Sequence, residues 1–311
     1  MSRKLIVVLA LLLTACGTAT SETTPASTTS GINLGPDQKR VSTGKVDRIA
    51  AEVPEPIRAR GTLEVVADAG TVPPLSFYAT DDHTPIGVEE DIASLVADVL
   101  GLKPHYTVVS WENIFVGLDS GKYDAGFSNI TVTEARKEKY DFATYRLDNV
   151  SFEARKGSGW QVNGPADVAG RSIAVSSGTN QEKLLLDWNA QNTAKGLKPV
   201  DVKYFQKATD YYLALQSGRI DAYFGPNPST AYHAATSGQT ELIGTVSGAG
   251  TALQGKIAAT TKKDNGLIRA LHEALSEVIA NGSYAQVLRR WGLSNEAVTG
   301  SELNPPGLPR T

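Results

Sequence analysis

The chain echoes itself. Leu118-Asp-Ser-Gly121-Lys-Tyr-Asp124-Ala-Gly-Phe127 matches Leu215-Gln-Ser-Gly218-Arg-Ile-Asp221-Ala-Tyr-Phe224 at a spacing of 97 residues. Each copy reads as a helix end, a Ser-Gly stop and a strand beginning at Asp-Ala. A second pair lies upstream in the same order: Gly61-Thr-Leu-Glu-Val-Val-Ala-Asp68-Ala-Gly-Thr71 and Gly170-Arg-Ser-Ile-Ala-Val-Ser-Ser-Gly178-Thr179. Both read as a turn, a buried strand and a Gly-Thr loop. Two ordered echoes predict two similar α/β lobes, and 311 residues is the right length for about two domains. Asp124 and Asp221 recur at the Ser-Gly turns, where an acid caps the turn rather than reaching a distant site.

The helices between the echoes are readable. Ile92, Leu95, Val96, Val99 and Leu100 form one apolar stripe, with Glu89-Glu90-Asp91 at a helix start favourable to the macrodipole and Gly101 at its end. Trp111 to Ser120 is a shorter helix, answered in the second lobe by Gln181 to Trp188 and Thr209 to Gln216. Tyr211, Tyr212 and Trp188 belong to helix packing. Two further helices, Leu267 to Ile279 and Tyr284 to Trp291, follow the second lobe and need a core to dock on. The first lobe is the expected host, so the chain should cross between lobes near Phe152–Lys156 and again near Gly255–Thr260. The expected division is a first lobe of 46–154 plus 256–303, a second lobe of 155–255 and a tail of 304–311.

Arg3, Lys4 and the apolar run Leu5 to Leu13 read as a signal peptide, since such a run is too short to span a bilayer. It ends Leu13-Thr14-Ala15-Cys16-Gly17, which resembles the lipobox of bacterial lipoproteins. Residues 1–15 are then a leader, Cys16 the lipidated N-terminus, and 16–45, rich in Thr, Ser, Ala, Gly and Pro, a flexible tether to a membrane. Cleavage removes two basic residues and no acid, which takes the formal charge from −3 to −5. A pI near 5.9 leaves no basic footprint for nucleic acid.

Several chemistries are excluded or disfavoured. One cysteine closes no intrachain disulfide and builds no cysteine-based metal site. His83, His105, His233 and His272 show no paired metal spacing, so no metal or cofactor is expected. Gly250-Thr-Ala-Leu-Gln-Gly255-Lys256 fails as a P-loop because Ile257 stands where a hydroxyl must bind magnesium.

The ordered set Gly87-Val-Glu-Glu-Asp-Ile-Ala93, Ser110-Trp111-Glu-Asn-Ile, Ser120-Gly121-Lys-Tyr-Asp124-Ala, Asn129-Ile-Thr131-Val-Thr133-Glu134-Ala-Arg136-Lys137, Asp141-Phe142, Ser177-Gly178-Thr179 and Asn281-Gly282-Ser283-Tyr284 resembles the family 3 extracellular solute-binding proteins, the polar amino-acid binding components of ABC importers. The likeness runs from about Gly61 to Trp291. It implies a two-lobed periplasmic-binding-protein-like α/β fold, each lobe a mostly parallel sheet flanked by helices, closing on a ligand between them. Loops at the C-terminal ends of strands line the crevice in such sheets. In the family the arginine matching Arg136 grips the ligand carboxylate, helped by the residues matching Asn129 and Thr131. The residue chemistry agrees, because a guanidinium binds a carboxylate in bidentate fashion and a basic group in a first helical turn wants an anion nearby. Free N–H groups at Thr179 and Asn180 can complete that anion site.

The ammonium half departs from the pattern. Where many members carry Ala-Asp-Ser-Pro, this chain has Gly225-Pro226-Asn227-Pro228, so Pro226 stands for the acid and only Asn227 offers polarity. Asp68 fits the family's first-lobe acid, with Phe77, Tyr78, Trp111 or Tyr223 as candidate walls. A retained carboxylate clamp beside a missing counter-ion argues against an ordinary α-amino acid. The expected protein is a monomeric, lipid-anchored binding protein that hands a small carboxylate solute to a permease. Two alternatives remain: a dehydratase-like enzyme on the same scaffold, for which Glu182 would have to point inward as general acid, and a ligand-sensing surface lipoprotein.

Overall fold

A computed structural model describes residues 31–68 and 72–310. The leader, Cys16 and the first half of the expected tether lie outside the described residues. The first lobe opens with α1 (Asp47–Ala50), α2 (Glu55–Arg60), β1 (Thr62–Ala67), β2 (Phe77–Tyr78), β3 (Pro85–Ile86), α3 (Val88–Leu100), β4 (Lys103–Val108), α4 (Trp111–Asp119) and β5 (Ala125–Gly126). One long strand, β6 (Tyr140–Arg155), leads into the second lobe, which holds β7 (Ser172–Val175), α5 (Asn180–Ala194), β8 (Asp201–Tyr204), α6 (Ala208–Gln216), β9 (Ala222–Pro226), α7 (Asn227–Ser237) and β10 (Thr240–Ser247). The chain returns through β11 (Gly255–Lys262) to α8 (Ile268–Ala280) and α9 (Ser283–Arg290).

The echo in sequence is an echo in topology. The first lobe orders its strands β4-β1-β5 and the second β8-β7-β9, with the pairs inside each trio parallel. Asp124 Oδ2 accepts the Glu64 N–H at 2.8 Å and Asp221 Oδ2 the Ser172 N–H at 2.9 Å, so both repeated acids are structural, but they pin the start of the neighbouring strand instead of capping the Ser-Gly turn. Each sheet is covered on both faces, following the period-two alternation of its strands. Leu63 and Val65 face α3, α8 and α9, whereas Val66 faces Ile114 and Leu118 of α4. In the second lobe Ile173 and Val175 meet Leu184, Leu185 and Trp188 of α5, while Ala174 faces Tyr211 and Leu215 of α6.

The lobe boundary differs from expectation. β6 pairs with β11 through Asp148, with β10 from Asn149 and with β9 from Val150, so the handover falls about six residues before the expected boundary at residue 154. No turn or breaker marks it, because the strand runs straight through and only its partners change. The segment expected as tether up to residue 45 is packed from residue 31 onward: Ile32, Leu34 and Val41 rest on the first-lobe core, and Arg40 pairs with buried Asp91 at 3.0 Å. The tail is likewise docked, with Leu308 only 3% exposed. Glu89, Glu90 and Asp91, the acids at the start of α3, are all buried.

Candidate ligand-binding site

Between the lobes lies a cavity with about 660 Å3 of unfilled space, part of it open to solvent. Its first-lobe wall includes Asp68, Ser76, Glu89, Trp111, Ser128 and Asn129, and its second-lobe wall Ser176, Thr179, Asn180, Gln181, Gln206 and Tyr223. Most of these sit in the loops after β1, β5, β7 and β8 or at the start of α5, the C-terminal ends of parallel strands where an α/β sheet opens a crevice.

The structure brings together six of the residues singled out in sequence: Asp68, Trp111, Asn129, Thr179, Asn180 and Tyr223 all line the cavity. Thr179 caps α5, its hydroxyl oxygen accepting the Glu182 N–H at 3.2 Å and donating to Ser176 O at 2.6 Å. Tyr223 stacks on Tyr211 at 3.8 Å, and burial pushes its hydroxyl up to about 12. Gly178 faces Trp111 across the cleft, where a Cβ would stand 3.5 Å from the indole nitrogen, and its φ of 76° suits glycine.

Five expected residues do not line the cavity, and one of them, Tyr78 on β2, is exposed. Phe77 points into the first-lobe core, edge-on to Trp291 at 5.9 Å, because pairing of β2 with β3 turns it inward. Asn227 accepts from Ser151 at 2.8 Å and donates to Glu296 at 3.3 Å. Thr131 is fully buried and donates its hydroxyl to Asp148 at 2.8 Å. Arg136 packs on Trp111 and Phe115, each ring centroid 5.2 Å from the guanidinium, and donates to Thr131 O at 2.9 Å and, across to the second lobe, to Gly178 O at 3.0 Å. No carboxylate lies within ion-pair distance of it among the described residues. Loss of water against the rings pulls its guanidinium down to about 10, with Asp148 pulling the other way.

Beneath the cavity is a buried charge network that sequence reasoning missed. Arg146, 1% exposed, donates to Glu89 at 3.0 Å, to Glu296 and to Asn129 Oδ1. An arginine has no acceptor, so the Asn129 atom facing it must be the oxygen, which leaves the amide N–H groups to the cleft. Asn129 holds φ at 50°, a left-handed setting that asparagine tolerates. Glu89 also takes the Tyr145 hydroxyl, so its charge is held from below. One signal was present: Glu89 lies three and seven residues before Ile92 and Val96, on the apolar stripe. Asp148 closes the floor between the lobes, its Oδ2 accepting from Thr131 of the first and from Asn180 Nδ2 of the second at 3.0 Å. Burial raises its carboxyl to about 6. Among the described residues no group of three His, Cys, Asp or Glu is placed to hold a metal.

Two α/β lobes joined by shared strands, with a polar cleft at their strand ends, define a two-lobed solute-binding protein. The chain belongs to the bacterial extracellular solute-binding proteins, family 3, whose signature matches residues 65–294. Similar proteins include the L-cystine-binding protein TcyJ of Escherichia coli (strain K12), 28% identical over 236 residues, which is 76% of this chain and 84% of TcyJ. The arginine-binding protein ArgT of Corynebacterium glutamicum (strain ATCC 13032) is 27% identical over 293 residues, 93% of this chain and 94% of ArgT. An ancestral arginine-binding protein solved with arginine bound shares the fold, with a TM-score of 0.65 at 24% identity over 75% of this chain and 98% of that one.

Proposed function

We propose that this chain captures an amino acid or an amino-acid-like carboxylate for an ABC importer and is held to the membrane by lipid on Cys16. The observation that carries the reading is Arg136: a guanidinium at the junction of the lobes, beside the cavity, whose hydrogen bonds among the described residues go to backbone carbonyls and not to a carboxylate. The cystine- and arginine-binding relatives support an amino acid as cargo. A ligand carboxylate displaces the two carbonyls from Arg136, and closure lets Arg136 and the α5 N-terminus grip it together. With Pro226 in the cleft wall, the second lobe offers no acid there, so the ligand's cationic group is met from the first lobe by Asp68. The role is binding rather than catalysis. Glu182, the acid a dehydratase would need, instead accepts the Gly178 N–H at 2.6 Å.

Calorimetry with L-arginine and L-cystine on the unlipidated protein tests this, with mass spectrometry of small molecules released from it. Arg136→Ala should weaken binding by roughly 2–5 kcal/mol by leaving a desolvated carboxylate unpaired. Unchanged affinity in that variant would sink the assignment.

A further inference from the structure

The C-terminal segment follows the stretch that matches the family, yet it is tied to the first lobe by a series of backbone hydrogen bonds. Thr144 N–H donates to Glu302 O at 3.0 Å and Asn304 N–H to Phe142 O at 2.9 Å, so the segment runs antiparallel along β6. It then turns onto the loop that carries Arg136. Leu308 N–H donates to Val132 O and Glu134 N–H to Leu308 O, both at 3.0 Å, flanking Thr133. Gly307 N–H donates to the Glu134 carboxylate at 2.9 Å, which holds that carboxyl below its ordinary range. Gly307 passes so close to the Val132 carbonyl that a Cβ would collide with it. Lys137 Nζ reaches Pro305 O at 3.2 Å.

While the backbone is tied to the first lobe, the Leu308 side chain is buried in the apolar cluster of the second, the one built on Leu184, Leu185 and Trp188. The segment therefore touches both lobes and the clamp loop at once. We propose that residues 301–310 form a strap that positions the Arg136 loop and couples it to the second lobe, so that ligand affinity depends on Leu308 although Leu308 touches no ligand. The ligand half of this rests on the functional reading above; the positioning half does not.

The experiment compares the full chain with Leu308→Ala, with Leu308→Met, and with a chain ending at Asn304. Hydrogen exchange without ligand should show the Glu134 amide losing protection in the alanine variant and in the shortened chain, and regaining it with methionine. Calorimetry with L-arginine and L-cystine should show the alanine variant binding about 5–150-fold more weakly, the size of an ordinary coupling between sites, while it remains folded at the assay temperature. Methionine should restore affinity. Unchanged exchange at Glu134 together with unchanged affinity overturns the strap. If the parent chain binds neither amino acid, exchange at Glu134 alone decides the strap, and the functional reading is what fails. Should the shortened chain not fold, the Leu308 pair decides.

Discussion

At the scale of single residues, charge is placed where water is scarce, and each placement has a measurable cost. Asp148 is held up at about 6, chiefly by burial, with Thr131 and Arg146 opposing and Glu296 adding to it. An unfolded aspartate titrates near ~3.9. Between those values the folded chain keeps a proton that the unfolded chain has released, so stability falls as pH rises through that window and levels off above about 6. Asp148→Asn keeps an oxygen for Thr131 and Asn180 and should flatten this fall in thermal melts from pH 4.5 to 7.5; equal slopes in both proteins would refute it. In the cleft wall, Pro226→Asp should raise affinity for free amino acids by adding a second acid beside the ligand, and a thermal-shift panel without any gain would discard that argument. Asp68, Trp111 and Thr179 were legible because motif and strand-end position agree on them. Arg146 was not, since a strand arginine gives no sign of being buried until its two glutamate partners, 57 and 150 residues away, are brought to it.

At the scale of elements, periodicity carried most of the fold. The stripe of α3, the Ser-Gly stops and the paired Asp-Ala strands need only local chemistry, and α3, α4, α6, α8 and α9 begin and end within a residue or two of their signals, whereas α5 runs on to Ala194 and α1, α2 and α7 were not anticipated. What local chemistry cannot carry is a change of partner. β6 gives no hint at Asp148 that its neighbours are exchanged, and Phe77 gives none that a two-residue pairing turns it inward. The N-terminus of α5 is where element and site meet. Thr179→Ala removes its cap and should cost about 1 kcal/mol in urea unfolding, with weaker ligand binding because the first turn of α5 forms the cleft wall. A loss of binding with no loss of stability would mean that Thr179 acts on the ligand directly.

At the scale of the whole molecule, the two lobes act as one thermodynamic object once a ligand lies between them. A cognate solute at 100 times its Kd should stabilise the fold by about 2.7 kcal/mol, visible as a rise of several degrees in melting temperature that scales with the logarithm of ligand concentration. On the lipid anchor proposed above, Cys16→Ala should release the protein from membranes, as a fractionation would read, since no helix among the described residues is long and apolar enough to cross a bilayer. The order of lobes along the chain has one more effect. Every strand of the second lobe lies between residues 140 and 247, whereas the first lobe waits for β11, α8 and α9 from beyond it. A chain emerging from the ribosome can therefore pair the strands of its second lobe, with only Leu308 of that core still to come, while the first is still an open sheet lacking its inner strand. Closing that gap requires contacts across more than a hundred residues, the slow kind of contact in folding. The first lobe thus stays open until α9 has been made, and the strap beside the binding loop docks only after that.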